Sequence, residues 1–224
     1  MATKEQNEEK NLEIGEVITK SELFIEKNQK TIIIVVAAIL FIVVAFFGLR
    51  KWYFQPRQER AAEEMFAAEN LFDNGQYELA LNGNDKYLGF VDVIDDYGCT
   101  KAGKLAKYYA GICEMQLGNY ESAIKYLKSY KGKDTFTKVE SVILIGDAEL
   151  ELGNTDAAIK QYLKAAKMED NFVTAPTAYF KAGMTYLMNG KNSDAVDCFK
   201  KIKNYPESTE YNEVDKYIAY AEAL

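Results

Sequence analysis

Residues 113–127 read CEMQLGNYESAIKYL, and the phrasing of this stretch recurs three more times. Residues 68–81 (AENLFDNGQYELAL), 148–163 (AELELGNTDAAIKQYL) and 185–199 (TYLMNGKNSDAVDCF) set Gly75, Gly153 and Gly190 where this stretch has Gly118. Five residues after each glycine stands an alanine: Ala80, Ala123, Ala158 and Ala195. Seven residues before comes Ala68, Gly111, Gly146 or Gly183. Nine residues after, three of the four carry bulk (Leu127, Tyr162 and Phe199), Asn84 being the exception.

This spacing is that of a helical hairpin. A glycine can take the left-handed conformation that ends a first helix, with no Cβ to oppose it. Small residues on either side of the turn let two antiparallel helices approach closely, and the bulky residue nine positions on is expected to pack into the neighbouring unit. One such hairpin cannot bury its apolar face alone, whereas a stack of them can. In the first unit the second helix is expected to fail near Asn82-Gly83-Asn84-Asp85 and to restart through Tyr87–Tyr97, which explains the wider gap between Gly75 and Gly118. After the fourth unit, Val214, Tyr217, Ile218 and Ala221 form the apolar stripe of a last helix, a cap over the open end.

Ahead of the repeats, Ile32–Leu49 (IIIVVAAILFIVVAFFGL) holds no charged or polar side chain. With Thr31 it makes a helix of about 28 Å at ~1.5 Å per residue, close to the ~30 Å hydrocarbon thickness of a bilayer. Lys27 and Lys30 bound it on one side, and Arg50, Lys51, Trp52 and Tyr53 on the other. Cations that snorkel and rings at headgroup level suit such ends. Residues 31–54 are therefore expected to be a transmembrane anchor. A cleaved signal peptide fits poorly, because the leading stretch is net acidic and Arg50-Lys51 stands where small residues would be needed.

Residues 1–30 are expected to be a polar tail, without structure over 1–10 and with an amphipathic helix over about 11–28. On that helix Leu12, Ile14, Val17, Ile18, Phe24 and Ile25 share one side. Two readings of this helix stand: it lies on the membrane and fixes the entry angle, or it docks on a membrane partner. Pro56 marks a break and suits the first turn of a new helix, so residues 55–224 are read as the repeat domain, about four repeats plus the cap.

Composition narrows the chemistry. The chain has 224 residues and a net charge of −7, which argues against a phosphate-backbone partner; no nucleic acid and no small-molecule substrate are expected. It contains no histidine, so the usual general base, the Ser/His and Cys/His nucleophile pairs and most zinc sites are gone. Cys99, Cys113 and Cys198 form no CxxC pair, and Cys113 and Cys198 read as small buried hydrophobes. Asp92, Asp95 and Asp96 read as a solvated face. No catalytic residue, cofactor or metal site is expected, and the protein reads as a non-enzyme. Within about 20 residues of the apolar run, Lys20, Lys27 and Lys30 before it against Arg50, Lys51, Arg57 and Arg60 after it leave orientation undecided by charge.

The repeated phrase resembles the tetratricopeptide repeat, well in units two to four and degenerately in unit one. The resemblance implies an all-α fold: after the transmembrane helix, a right-handed superhelix of helical hairpins closed by the capping helix. It further implies that the first helices of the units line a concave groove. Its positions fall on Leu105, Tyr108, Ile112 and Met115 in unit two and on Ile143, Asp147 and Leu150 in unit three. Unit four contributes Phe180, Met184, Leu187 and Met188. Family members that grip a C-terminal carboxylate use a Lys and an Asn. Here those positions hold Tyr108, Ile143, Phe180 and Ile112, Asp147, Met184, so that clamp is absent. A lining rich in methionine and aromatic rings suits extended apolar or helical peptide segments, although the same side chains could instead fill the superhelix or lie beneath the last helix.

A short acidic tail, one anchor and a tetratricopeptide domain of this size are together similar in layout to the YfgM-like family. That resemblance implies an ancillary subunit of the bacterial Sec translocon, single-pass in the inner membrane. The N-terminus would be cytoplasmic and the repeat domain periplasmic, holding chaperones or emerging clients. The alternative is an envelope scaffold for outer-membrane assembly or cell-division factors.

Overall fold

The computed structural model describes residues 2–224, and the side chains of Phe24 and of residues 27–224. Every regular element among the described residues is helical. The chain divides into two units, residues 1–56 and 57–224.

The first unit is the helix α1 (Ala2–Leu49) followed by a π-helical turn, Arg50–Phe54. Residues 2–10, expected to lack structure, are helical as the start of α1; their Ala, Lys, Glu and Gln are good helix formers. The expected amphipathic helix of 11–28 is backbone-continuous with the apolar run, while its side-chain faces lie outside the described residues. The apolar side chains from Ile33 to Leu49 are exposed almost throughout, Phe41 at 74%. Among the described residues, one helix is long and apolar enough to cross a membrane.

Pro56 stands in the first turn of a new α-helical segment. Proline has no N–H to give and its ring presses on the carbonyl four residues back. The turn just before it widens accordingly, with the Gln55 N–H reaching Arg50 O, the wider pattern that commonly relieves such a site. Helix α2 (Gln55–Asp73) then begins with Pro56 in its first turn.

The second unit continues with α3 (Tyr77–Asn82), α4 (Phe90–Tyr97), α5 (Lys101–Gln116), α6 (Tyr120–Ser129), α7 (Thr135–Glu151), α8 (Thr155–Met168), α9 (Thr174–Met188), α10 (Asn192–Ile202) and α11 (Val214–Ala223). The four hairpin turns are built alike. Gly75, Gly118, Gly153 and Gly190 have φ of 72°, 78°, 78° and 69°. At each, the glycine N–H and the next N–H turn back to the preceding helix: Gly118 N to Met115 O and Asn119 N to Glu114 O, Gly153 N to Leu150 O and Asn154 N to Glu149 O, with the same pair at Gly75 and Gly190. These bonds satisfy carbonyls that a helix end leaves open. The opposite ends of the first helices are capped by side chains. Thr100 Oγ1 accepts from Gly103 N at 3.0 Å and Asp134 Oδ2 from Thr137 N at 2.7 Å, while Asn171 Oδ1 accepts from Thr174 N at 2.8 Å.

The small and bulky positions meet inside each hairpin. A Cβ on Gly111 would lie 2.6 Å from Leu127 Cγ, one on Gly146 2.6 Å from Tyr162 Cε1, and one on Gly183 2.6 Å from Phe199 Cε1. The bulky residue was expected to pack into the neighbouring unit; it also lies directly against the glycine of its own hairpin. Cβ-less positions are what allow a ring to lie against a helix backbone. The cluster around Tyr162 still extends to Ala178 and Ala182 of the following unit, so the same side chain serves both interfaces.

Unit one departs as its sequence suggested. Helix α3 stops at Gly83, whose φ is 68°, and a loop leads to α4. Asn84 Oδ1 accepts from Lys86 N and Tyr87 N, both at 2.9 Å. Asp92 is not merely solvated: its Oδ2 accepts from Gly89 N at 3.0 Å and caps α4. Phe90, fully buried, stacks on Tyr109 with ring centroids 5.2 Å apart and 12° between planes. At the other end α11 buries Val214 and Ala221 against Ala195, Phe199 and Ile202. Successive apolar clusters thus run along the stack, each joining neighbouring hairpins and none spanning the whole.

Candidate functional site

The residues expected to line the groove sit at three depths. Tyr108, at 8% exposure, and Ile143 are buried. Tyr108 packs with Leu127, Tyr130 and Ile145, its hydroxyl is bonded to Glu140, and burial first, then that bond, raises its pKa well above the usual phenol range. Leu105, Ile112 and Met115 are half-buried against the same cluster. Phe180 is half-buried between Phe199 and Tyr217, with ring centroids 5.9 and 5.0 Å away. It thus lies beneath the capping helix, with Met184 and Leu187 packed on the same cluster. Leu150 is half-buried on the cluster of α7 to α10. Met188 is open, at 66% exposure.

Asp147 is engaged. Its Oδ1 accepts from the Tyr162 hydroxyl at 2.7 Å and from Lys181 Nζ at 2.8 Å. Lys181 belongs to α9, so this carboxylate ties the second helix of its own hairpin to the first helix of the next. Tyr162 is 1% exposed, and burial followed by the bond to Asp147 pushes its pKa far above that of a free phenol. A buried donor of this kind needs its acceptor, so Asp147 acts as an inter-repeat clasp.

The thiols divide as the sequence suggested. Cys113 and Cys198 are buried and Cys99 is exposed. Burial, with nearby carboxylates adding, pushes Cys113 up to about 12 and Cys198 up to about 11. Neither offers a thiolate near neutral pH. Among the described residues, no group of three or more metal-ligating side chains is brought together.

Sequence reasoning missed a basic cleft of about 530 Å³ between α6, α7 and α8, into which Lys128, Lys131, Lys133, Lys138 and Lys164 project. The signal was present in LKSYKGKDTFTK (127–138), where four lysines stand against one aspartate, but its meeting with Lys164 needs the fold.

Two family models described as Tetratricopeptide repeat match this chain, over residues 105–134 and 143–209. A TPR repeat-containing protein, MJ1428 of Methanocaldococcus jannaschii, is 32% identical over 107 residues, 48% of this chain. The chain spans only 18% of that relative's length. The crystal structure of MamA protein superposes with a TM-score of 0.53 over 74% of this chain and 91% of that one, at 20% identity, a likeness of fold. Such repeats indicate a protein–protein interaction module. The matches fall on the hairpins whose glycines and bulky partners are described above, so residues 105–134 and 143–209 are similar to tetratricopeptide repeats.

Proposed function

We propose that this protein is a membrane-tethered adaptor. Residues 31–54 would anchor it as a single span of the bacterial inner membrane and residues 55–224 would bind proteins, without catalysis, on the periplasmic side. The most specific form of the reading is an ancillary subunit of the Sec translocon that keeps chaperones or emerging clients near the channel exit. The observation that supports it is the apolar run of α1, whose side chains from Ile33 to Leu49 are exposed almost throughout. In water so much uncovered apolar surface is untenable, whereas in a bilayer it is at home.

The layout shared with the YfgM-like family supports the translocon and the periplasmic orientation. On the repeats, Ile112, Met115, Leu150, Met184 and Met188 remain at least partly accessible, and their flexible apolar side chains suit varied peptide segments. The test is co-purification in mild detergent, with and without residues 11–49. Recovery of the channel that depends on those residues supports the translocon reading. Partners held equally well by the repeats alone favour an envelope scaffold for assembly or division factors. Fractionation of the whole chain as a water-soluble protein without detergent contradicts the tether.

A further inference from the structure

We propose that the cleft between α6, α7 and α8 is a second protein-binding site, one that takes an extended acidic peptide segment bearing apolar side chains. The inference rests on the adaptor reading and adds a surface distinct from the groove. In a chain of net charge −7, this cleft inverts the sign: Lys128, Lys131, Lys133, Lys138 and Lys164 line it, and no carboxylate does.

The lysines are largely uncommitted. Lys131, Lys133 and Lys164 close no ion pair among the described residues, and Lys128 approaches Glu149 only at 3.9 Å. The nearest carboxylate in sequence, Asp134, accepts at one oxygen from both the N–H and the hydroxyl of Thr137, at 2.7 and 2.6 Å, as the cap of α7. Five ammonium groups around one hollow repel one another, and an anionic guest relieves that repulsion while gaining charge-assisted hydrogen bonds.

The shape selects among anions. Met168, 38% exposed, offers apolar surface at the cleft above the buried Val142 and Ile145, which a bare phosphate would leave unused and a leucine or phenylalanine would cover. The volume of about 530 Å³ accommodates a few side chains. The basic surface also continues: Lys164 lines a neighbouring hollow of about 430 Å³ together with Lys160, Lys167 and Lys191. There Asp156 is paired with Lys191 at 3.0 Å. A strip of lysines along α8 linking two hollows matches an extended chain, whose residues advance about 3.3 Å each, better than a compact ion. A flat lipid surface would not reach the recessed apolar side chains.

The experiment uses the full chain in neutral detergent micelles and a short fluorescent peptide alternating Glu or Asp with Phe or Leu. Its counterpart carries Gln and Asn in place of the acids, and binding is read by anisotropy. The acidic peptide is expected to bind at least about tenfold more tightly than the amide one, an advantage that shrinks at high salt as exposed charges are screened. The variant K131E/K133E/K164E is expected to lose at least about tenfold, whereas K200E/K216E, with charge reversed elsewhere on exposed lysines, keeps wild-type affinity. Equal binding of the two peptides overturns the proposal. So does wild-type affinity in the triple variant, or binding of inorganic phosphate or phosphatidylglycerol vesicles but not of the acidic peptide. Crosslinking of the triple variant at Met188 in intact membranes separates the two readings: if the groove still captures its partner while the peptide fails on wild type, only the second site is lost.

Discussion

The ring of Tyr162 lies so close to Gly146 that a Cβ there would stand 2.6 Å from Cε1. Helix α8 thereby packs onto α7 with the ring directly against the bare backbone of Gly146. The same arrangement at Gly111 with Leu127 and at Gly183 with Phe199 makes it the repeated structural joint of the domain.

Gly146→Val is expected to cost about 1–3 kcal/mol, the usual penalty for forcing extra carbons into a packed core. Gly153→Ala is expected to destabilise for a different reason: nothing lies within 4 Å of its Cβ position, but its φ is +78°, and a side chain in the left-handed region costs about 1–2 kcal/mol. Chemical denaturation of the two variants measures both.

Asp147→Ala is expected to destabilise more than Tyr162→Phe. The first leaves the buried Tyr162 hydroxyl without its acceptor and Lys181 without its counterion, at about 1–3 kcal/mol. The second removes the donor along with the bond and leaves Asp147 to Lys181. Equal losses in denaturation would mean that the clasp carries no inter-repeat coupling.

How far the sequence reached is seen at these same positions. The spacing of Gly75, Gly118, Gly153 and Gly190 was legible because helix-turn geometry imposes it wherever the hairpin sits. The contact of Leu127, Tyr162 and Phe199 with the neighbouring unit or cap was legible, but their close approach to Gly111, Gly146 and Gly183 of the same hairpin was not, because counting from the turn glycine gives a position along the second helix and not every neighbour it faces. Depth was least legible. Tyr108 is covered by Tyr130 and Ile145 from later elements, and Phe180 by Tyr217 of the cap, partners that periodicity within one helix cannot reveal. The lysine cleft stayed hidden because its members come from three helices and the loop between two of them.

Cysteine chemistry should follow depth. At pH 8, iodoacetamide is expected to modify Cys99 alone in the folded protein and all three thiols in denaturant, because Cys113 and Cys198 are buried. Mass spectrometry counts the adducts. Rapid native alkylation of Cys113 would contradict the packing of α5.

Alkali should unfold the repeats. The fold holds protons on Cys113 and Cys198 up to about 12 and about 11, against the ordinary 9.0. On Tyr205 it does so up to about 12, against 10.0. Unfolding therefore releases protons, and stability falls as pH rises through the interval from about 9 to 12. Melting followed by circular dichroism should show a flat melting temperature below pH 8.5 and a decline above it. A rise would reverse the sign of the account.

The most direct test of a tethered adaptor is a photo-crosslinking amino acid at Met188, exposed on the first helix of the fourth hairpin, in intact membranes. The account predicts adducts with envelope proteins, among them channel subunits, chaperones or exported chains, that are lost when residues 11–49 are deleted. Adducts with cytosolic proteins, on repeats protected from protease added outside the membrane, would contradict it.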